Sequence, residues 1–312
     1  MKMKKWLTAA VAAAVTAASL AGPTAVMAQS ATGSSSSASA STTGKTCVSL
    51  GADLTSQQRA TVLSLLGITE EDLSKDTVIT VTNAEEHEAF DSYIDKSITG
   101  TRALSCALLT EKGDGNGIQV TTKNITYCTT EMYQNALATA GVKNADVVVA
   151  GPVQLSGTAA LLGVTKAYSK MSGTSLKAEN VDAAAQELVV TSDLGKETGD
   201  TAKAAELIAT VKDQVADGNL SDDDIMKAID KASDELGLNL TDEQKQRILE
   251  LMKKLDTLNL DTSTLKEQAG QVYDALKEKG IDLGVSKDQA MNIFEKIANW
   301  FLSLWKKLRG VG

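Results

Sequence analysis

The chain has a single histidine, two prolines, three cysteines and only 4 % aromatic residues among its 312. Each shortage excludes something. With His87 alone and no nucleophile motif around it, a Ser-His-Asp set or a Cys-His pair has no support. No His/Cys spacing suits a metal, so neither a metal centre nor a cofactor is expected. Two prolines exclude a proline-rich linker, and with 43 % apolar residues they suit an ordered, helix-rich globular protein. Positive charge is also short, with 31 Lys and Arg against 40 Asp and Glu. That balance disfavours nucleic acid and anionic lipid as general partners.

The largest apolar run is at the start. Lys2, Lys4 and Lys5 precede Trp6 to Leu20, an alanine-dominated stretch that Gly22-Pro23 interrupts before it could span a bilayer. Val26-Met27-Ala28 then places small residues where a signal peptidase reads. Residues 1–28 are therefore expected to be an export signal, with a secreted or extracytoplasmic product. No cysteine follows to carry a lipid anchor. Cleavage would remove three lysines and no acid, leaving 28 basic and 40 acidic residues and a net charge of −12.

Residues 29–46 are rich in Ser, Thr, Ala and Gly and read as a flexible linker. The order expected after them is a strand at Cys47–Leu50, then a helix capped by Thr55 with Gln58 completing a capping box. A strand at Val78–Val81 and a short helix capped by Thr82-Asn83 follow. Arg102–Thr110 and Ile118–Tyr127 are expected to pair as a hairpin around Lys112-Gly113-Asp114-Gly115-Asn116-Gly117. A helix over Thr130–Ala140 leads to Asp146-Val147-Val148-Val149-Ala150, a continuous apolar strand of the buried kind, and to a helix from Gly157. Beyond Asn180 only helical patterns recur. The expected fold class is α/β, with a mixed sheet covered by helices in the first half (47–198). An all-helical C-terminal extension (199–285) and an amphipathic aromatic-rich C-terminal helix (286–312) complete it.

In the expected hairpin, Cys106 and Cys128 would lie about 20 Å apart at strand rise, beyond disulfide reach. Cys47 is then the partner if any bridge forms. Three unpaired core thiols are the other reading.

Several blocks carry a resemblance. Gly51-Ala52-Asp53-Leu54-Thr55 with Arg59, Val81-Thr82-Asn83-Ala84-Glu85-Glu86, and Gly100-Thr101-Arg102-Ala103 occur in order. Ala138-Thr139-Ala140-Gly141-Val142 with Asp146-Val147, Ser156-Gly157-Thr158-Ala159-Ala160-Leu161, and Leu240-Thr241-Asp242-Glu243-Gln244 follow. Together they resemble the YpuA-like family of exported bacterial proteins, domain of unknown function 1002. The resemblance implies an extracytoplasmic address and a shared fold, but brings no active site with it.

Four places invite a ligand reading. Gly151-Pro152-Val153-Gln154-Leu155-Ser156-Gly157-Thr158 sits between strand and helix, yet lacks the lysine of a phosphate loop, so no nucleotide is expected. Its Ser156 and Thr158 hydroxyls and the amides around Gly157 could still hold a carboxylate or phosphate; a capped helix explains the same residues. Arg102 either pairs with Asp53 or Glu85 or receives an anionic ligand. Glu85, Glu86 and His87 are consecutive, so they cannot converge on one ion and fit a charged first helical turn. The faint calcium-loop echo at Asp213–Asp224 fails because Val215 cannot ligate.

The C-terminal stripe of Phe294, Ile297, Trp300, Phe301, Leu304 and Trp305, followed by Lys306, Lys307 and Arg309, suits a helix in a membrane interface or against a cell-wall component. It equally suits a closing helix packed on its neighbours. The functional expectation is a cell-envelope binding or structural module. A hydrolase or transferase using carboxylates such as Asp53 or Glu85 with Arg102 is the alternative.

Overall fold

In a computed structural model, the residues described are 44–215, 220–258, 260–281 and 283. The leader, nearly all of the linker and the C-terminal aromatic helix lie outside them. Five strands form one sheet: β1 (Thr46–Gly51), β2 (Thr77–Val81), β3 (Cys106–Glu111), β4 (Ile118–Ile125) and β5 (Ala145–Leu155). Between them run α1 (Ser56–Leu66), α2 (Glu70–Leu73), α3 (Asn83–Phe90), α4 (Lys96–Thr99) and α5 (Thr130–Ala140). After β5 come α6 (Thr158–Ser172), α7 (Ala178–Thr198), α8 (Thr201–Val215), α9 (Asp222–Leu236), α10 (Asp242–Asp256) and α11 (Thr262–Glu278). The α/β class with a helical C-terminal extension is what the structure has.

The hairpin expectation is overturned. Strand order is β2-β1-β3-β5-β4, so β3 and β4 never pair. β3 runs antiparallel to β5, and β4 runs parallel to β5 on its other side. The cause is the apolar run of β5. Val147 and Val149 enter one core and Ala150 the other, so the strand needs cover on both faces and a neighbour on both edges. Loop 112–117 is long enough to straddle it, since two strand spacings are about 9.6 Å. Lys112 N–H donates to the Asn144 carbonyl (2.7 Å) and Ala145 N–H to the Gly117 carbonyl (2.8 Å), clamping the loop over the strand's start. Two further boundaries differ from expectation. Residues 151–155 continue β5 rather than forming a loop, and Arg102 precedes β3 instead of opening it.

Side-chain alternation along β1 divides the sheet's two faces. Val48 and Leu50 join Val62, Leu63 and Leu66 of α1, while Cys47 faces the core beneath α5 and α6. Cys106 shares the α1 face, so Cys47 and Cys106 are on opposite sides of the sheet. All three cysteines are buried free thiols. Burial pushes Cys47 and Cys106 each up to about 11, which leaves them protonated and inert near neutrality. α6 lies close on β1 because Gly163 has no side chain; a Cβ there would stand 2.0 Å from Ser49 Oγ.

Threonine caps punctuate the chain. Thr55 with Gln58, Thr82 with Glu85, and Thr241 with Gln244 form reciprocal capping boxes, each contributing about 1 kcal/mol. α7 serves two cores, giving Leu188 and Val189 to the sheet side and Leu194 to the helical side. A buried ion pair joins these layers. Lys212 Nζ of α8 donates to Glu187 Oε1 of α7 (2.7 Å), to the Asn135 carbonyl (2.9 Å) and to Thr139 Oγ1 (3.1 Å) of α5. Thr139 also donates to Glu187 Oε2, so both charges are hydrogen-bonded at 2 % exposure or less. Removing one partner strands the other in a dry core. Glu187→Ala should destabilise by about 3–5 kcal/mol. The paired change Glu187→Leu with Lys212→Met should lose clearly less, as read by urea denaturation.

Candidate functional site

The parallel strands β1, β2 and β5 end on one side of the sheet, where the first turns of α3 and α6 begin. A cleft of about 320 Å³ opens there, the location expected for ligand sites in open α/β sheets. It is lined by the segment Ser97–Arg102, by Leu104, Ser105, Leu155 and Ser156, and by the buried Glu86.

Glu86 is 2 % exposed. Its Oε1 accepts from Thr158 Oγ1 at 2.5 Å and its Oε2 from Asn83 Nδ2 at a long 3.4 Å. The Ala159 N–H also binds this carboxylate. Glu86 therefore supplies the cap that α6 lacks, since Gly157 offers the helix no side chain. Burial raises its pKa above the usual glutamate value, and the hydrogen bonds from Thr158 and Asn83 oppose that rise. A carboxylate only accepts, so the Thr158 proton points at Glu86. Ser156 Oγ, 3.2 Å from Thr158 Oγ1, must then be the donor to it, which leaves the Ser156 lone pairs turned elsewhere.

Gly157 has φ +97°, and any Cβ would meet Tyr133 OH at 2.5 Å. That hydroxyl instead donates to the Gly157 carbonyl, fixing the turn to α5.

The expected site residues separate into two groups. Ser156 and Thr158 come together around Glu86, directly or through one hydrogen bond, and Arg102 lines the same cleft without bonding to any of them. Asp53 and Glu85 do not join them. Asp53 Oδ2 accepts from the Ala103 N–H (2.8 Å), a turn-closing contact. Glu85 accepts the Thr82 N–H in the capping box and pairs with Lys166 at 2.6 Å, and the Lys166 hydrogen bond pulls its pKa down. Arg102 is exposed and has no carboxylate or hydrogen-bond partner among the described residues. The anion expected at the start of α6 is present, but it is the protein's own Glu86. Glu86 was passed over in the sequence because its neighbours point elsewhere; only the approach of α6 to α3 makes it central.

His87 holds the cleft wall. Its Nδ1 lies 2.6 Å from Asp91 Oδ1 and its Nε2 2.8 Å from the Gly100 carbonyl, which Asn83 Nδ2 also reaches at 3.4 Å. Both partners of the ring are acceptors, so the doubly protonated imidazolium satisfies them best. Asp91 first, and the Gly100 carbonyl after it, raise the His87 pKa above its ordinary value. Because the folded value exceeds the unfolded one, this contact stabilises fully below about pH 6.5 and is lost as pH rises through the folded pKa. With one histidine in the chain, an imidazole NMR titration reads it without ambiguity. A value above 6.5 that falls in Asp91→Asn is expected, and a value below 6.5 would contradict the geometry.

Comparison with known proteins agrees with the blocks seen in the sequence. The family model described as "Protein of unknown function (DUF1002)" matches residues 50–272, from β1 into α11. The "Uncharacterized protein YpuA" of Bacillus subtilis (strain 168) is 38 % identical over 267 residues, covering 85 % of this chain and 89 % of that one. No solved structure matches. The chain belongs to the DUF1002 family, with YpuA among its relatives.

Proposed function

We propose that this protein is an exported, cell-envelope binding module whose site is the cleft at the start of α6. The observation that carries the reading is Arg102, a guanidinium on the cleft wall with no ionic partner among the described residues. A permanently charged fork left open beside buried hydroxyls suits capture of a small anionic group. Binding is favoured over a carboxylate-dependent hydrolase or transferase because Asp53 and Glu85 are committed to backbone and lysine contacts and neither lines the cleft. Among the described residues Glu86 is the one carboxyl lining the cleft, whereas paired-carboxylate chemistry needs two facing one substrate.

Support for export comes from Lys2 to Ala28, read above as a signal. No described helix is long and apolar enough to cross a membrane. Retention at the outer face of the membrane would fall to the aromatic segment 286–312.

Fractionation of producing cells tests the address. The extracytoplasmic fraction should hold protein whose N-terminus, by mass spectrometry, is Gln29; full-length protein confined to the cytosol would contradict the proposal. Co-sedimentation with phosphatidylglycerol-containing vesicles tests retention. The mature protein should pellet and a truncation after Lys287 should not; equal pelleting would remove the C-terminal segment as the attachment.

A further inference from the structure

Three properties of the cleft, taken together, narrow its ligand. The first is separation of charge. Arg102 is an exposed residue of the lining, while Glu86 is a buried one. A simple anion would be drawn to Arg102 and repelled by Glu86, and a simple cation the reverse. A ligand carrying both charges satisfies each end.

The second is an orphaned donor. Thr99 is 4 % exposed and lines the cleft three residues from Arg102, yet its Oγ1, itself sealed from solvent, has no hydrogen-bond partner among the described residues. A buried hydroxyl without a partner is uncommon enough in folded proteins to require an explanation, and a bound acceptor supplies one. Ser97 and Ser105 add hydroxyls to the same lining.

The third is the remaining lining. Ile98, Leu104 and Leu155 give the cleft an apolar side, and about 320 Å³ is at the small end for ligand pockets. Glu86 keeps acceptor capacity toward a ligand, because Thr158, Asn83 and the Ala159 N–H occupy three of the roughly four lone-pair sites of its carboxylate, one of them at a long 3.4 Å.

We propose that the cleft binds a small zwitterion, an α-amino acid or short peptide with an aliphatic side chain. Its carboxylate lies against Arg102 and the Thr99 hydroxyl, and its ammonium against Glu86. This rests on the cleft being the binding site, and goes beyond it by requiring both charges on one ligand.

Isothermal titration of the purified protein tests this with L-leucine, N-acetyl-leucine, leucinamide, leucyl-leucine, acetate and inorganic phosphate. Leucine should bind saturably, and removing either charge should weaken binding about tenfold or more. Leucyl-leucine binding tighter than leucine points to a peptide as source, and weaker binding to a free amino acid; either supports the charge pairing.

Arg102→Ala, at an exposed position, should cost leucine about tenfold while leaving leucinamide unchanged. Thr99→Val should weaken leucine several-fold while leaving the melting temperature unchanged or higher, a combination that a merely structural threonine does not give. N-acetyl-leucine or phosphate binding as tightly as leucine overturns the zwitterion and leaves an anion-binding cleft standing. No saturable binding by any probe up to about 10 mM overturns both. Leucine binding untouched by Arg102→Ala also overturns the assignment.

Discussion

A buried carboxylate at a helix start constrains the whole of this site. Glu86, nearly sealed from solvent, is tolerable only because Thr158, Asn83 and the Ala159 N–H hydrogen-bond it and because the α6 dipole favours negative charge there. Meeting those demands ties α3 to α6. It fills from within the position that a bound phosphate or carboxylate would otherwise take. Arg102, lining the same cleft, has no internal counter-charge among the described residues. His87, the next residue, braces the cleft lining through the Gly100 carbonyl. One helical turn therefore supplies both the buried carboxyl of the cleft and the brace of its lining.

Behind the cleft, the same logic of buried polar groups recurs. Lys212 and Glu187 are fully hydrogen-bonded among α5, α7 and α8, and the helices that follow the sheet are joined to it through that network as well as through apolar contact. Such a pair adds little net stability compared with apolar residues of similar size, but it penalises any helix register that separates the charges.

Much of the architecture was legible locally. Thr55 with Gln58 and the short strand at Cys47–Leu50 depend on residues a few positions apart, and both formed as expected. The hairpin failed because turn residues between two strands show only that the chain reverses, not whether a third strand will enter the gap. β5 lies beyond the turn in sequence, and its demand for two neighbours decided the order. The site shows the same division. Arg102 and Ser156 were recognisable as unusual polar residues at element ends. Glu85 attracted attention that belonged to Glu86, because the four-residue pattern Thr82 to Glu85 is a cap whatever else surrounds it. Thr99 gave no signal at all; only burial without a partner distinguishes it.

Family membership extends from β1 to α11, which includes every residue of the cleft. The central claim is that this cleft is where the protein meets its ligand. Amide chemical-shift mapping with added leucine tests it most directly. The account predicts saturable shifts confined to residues 97–105, the 155–159 turn and Glu86. Shifts that cluster elsewhere on the protein, or none at saturating ligand, would contradict it.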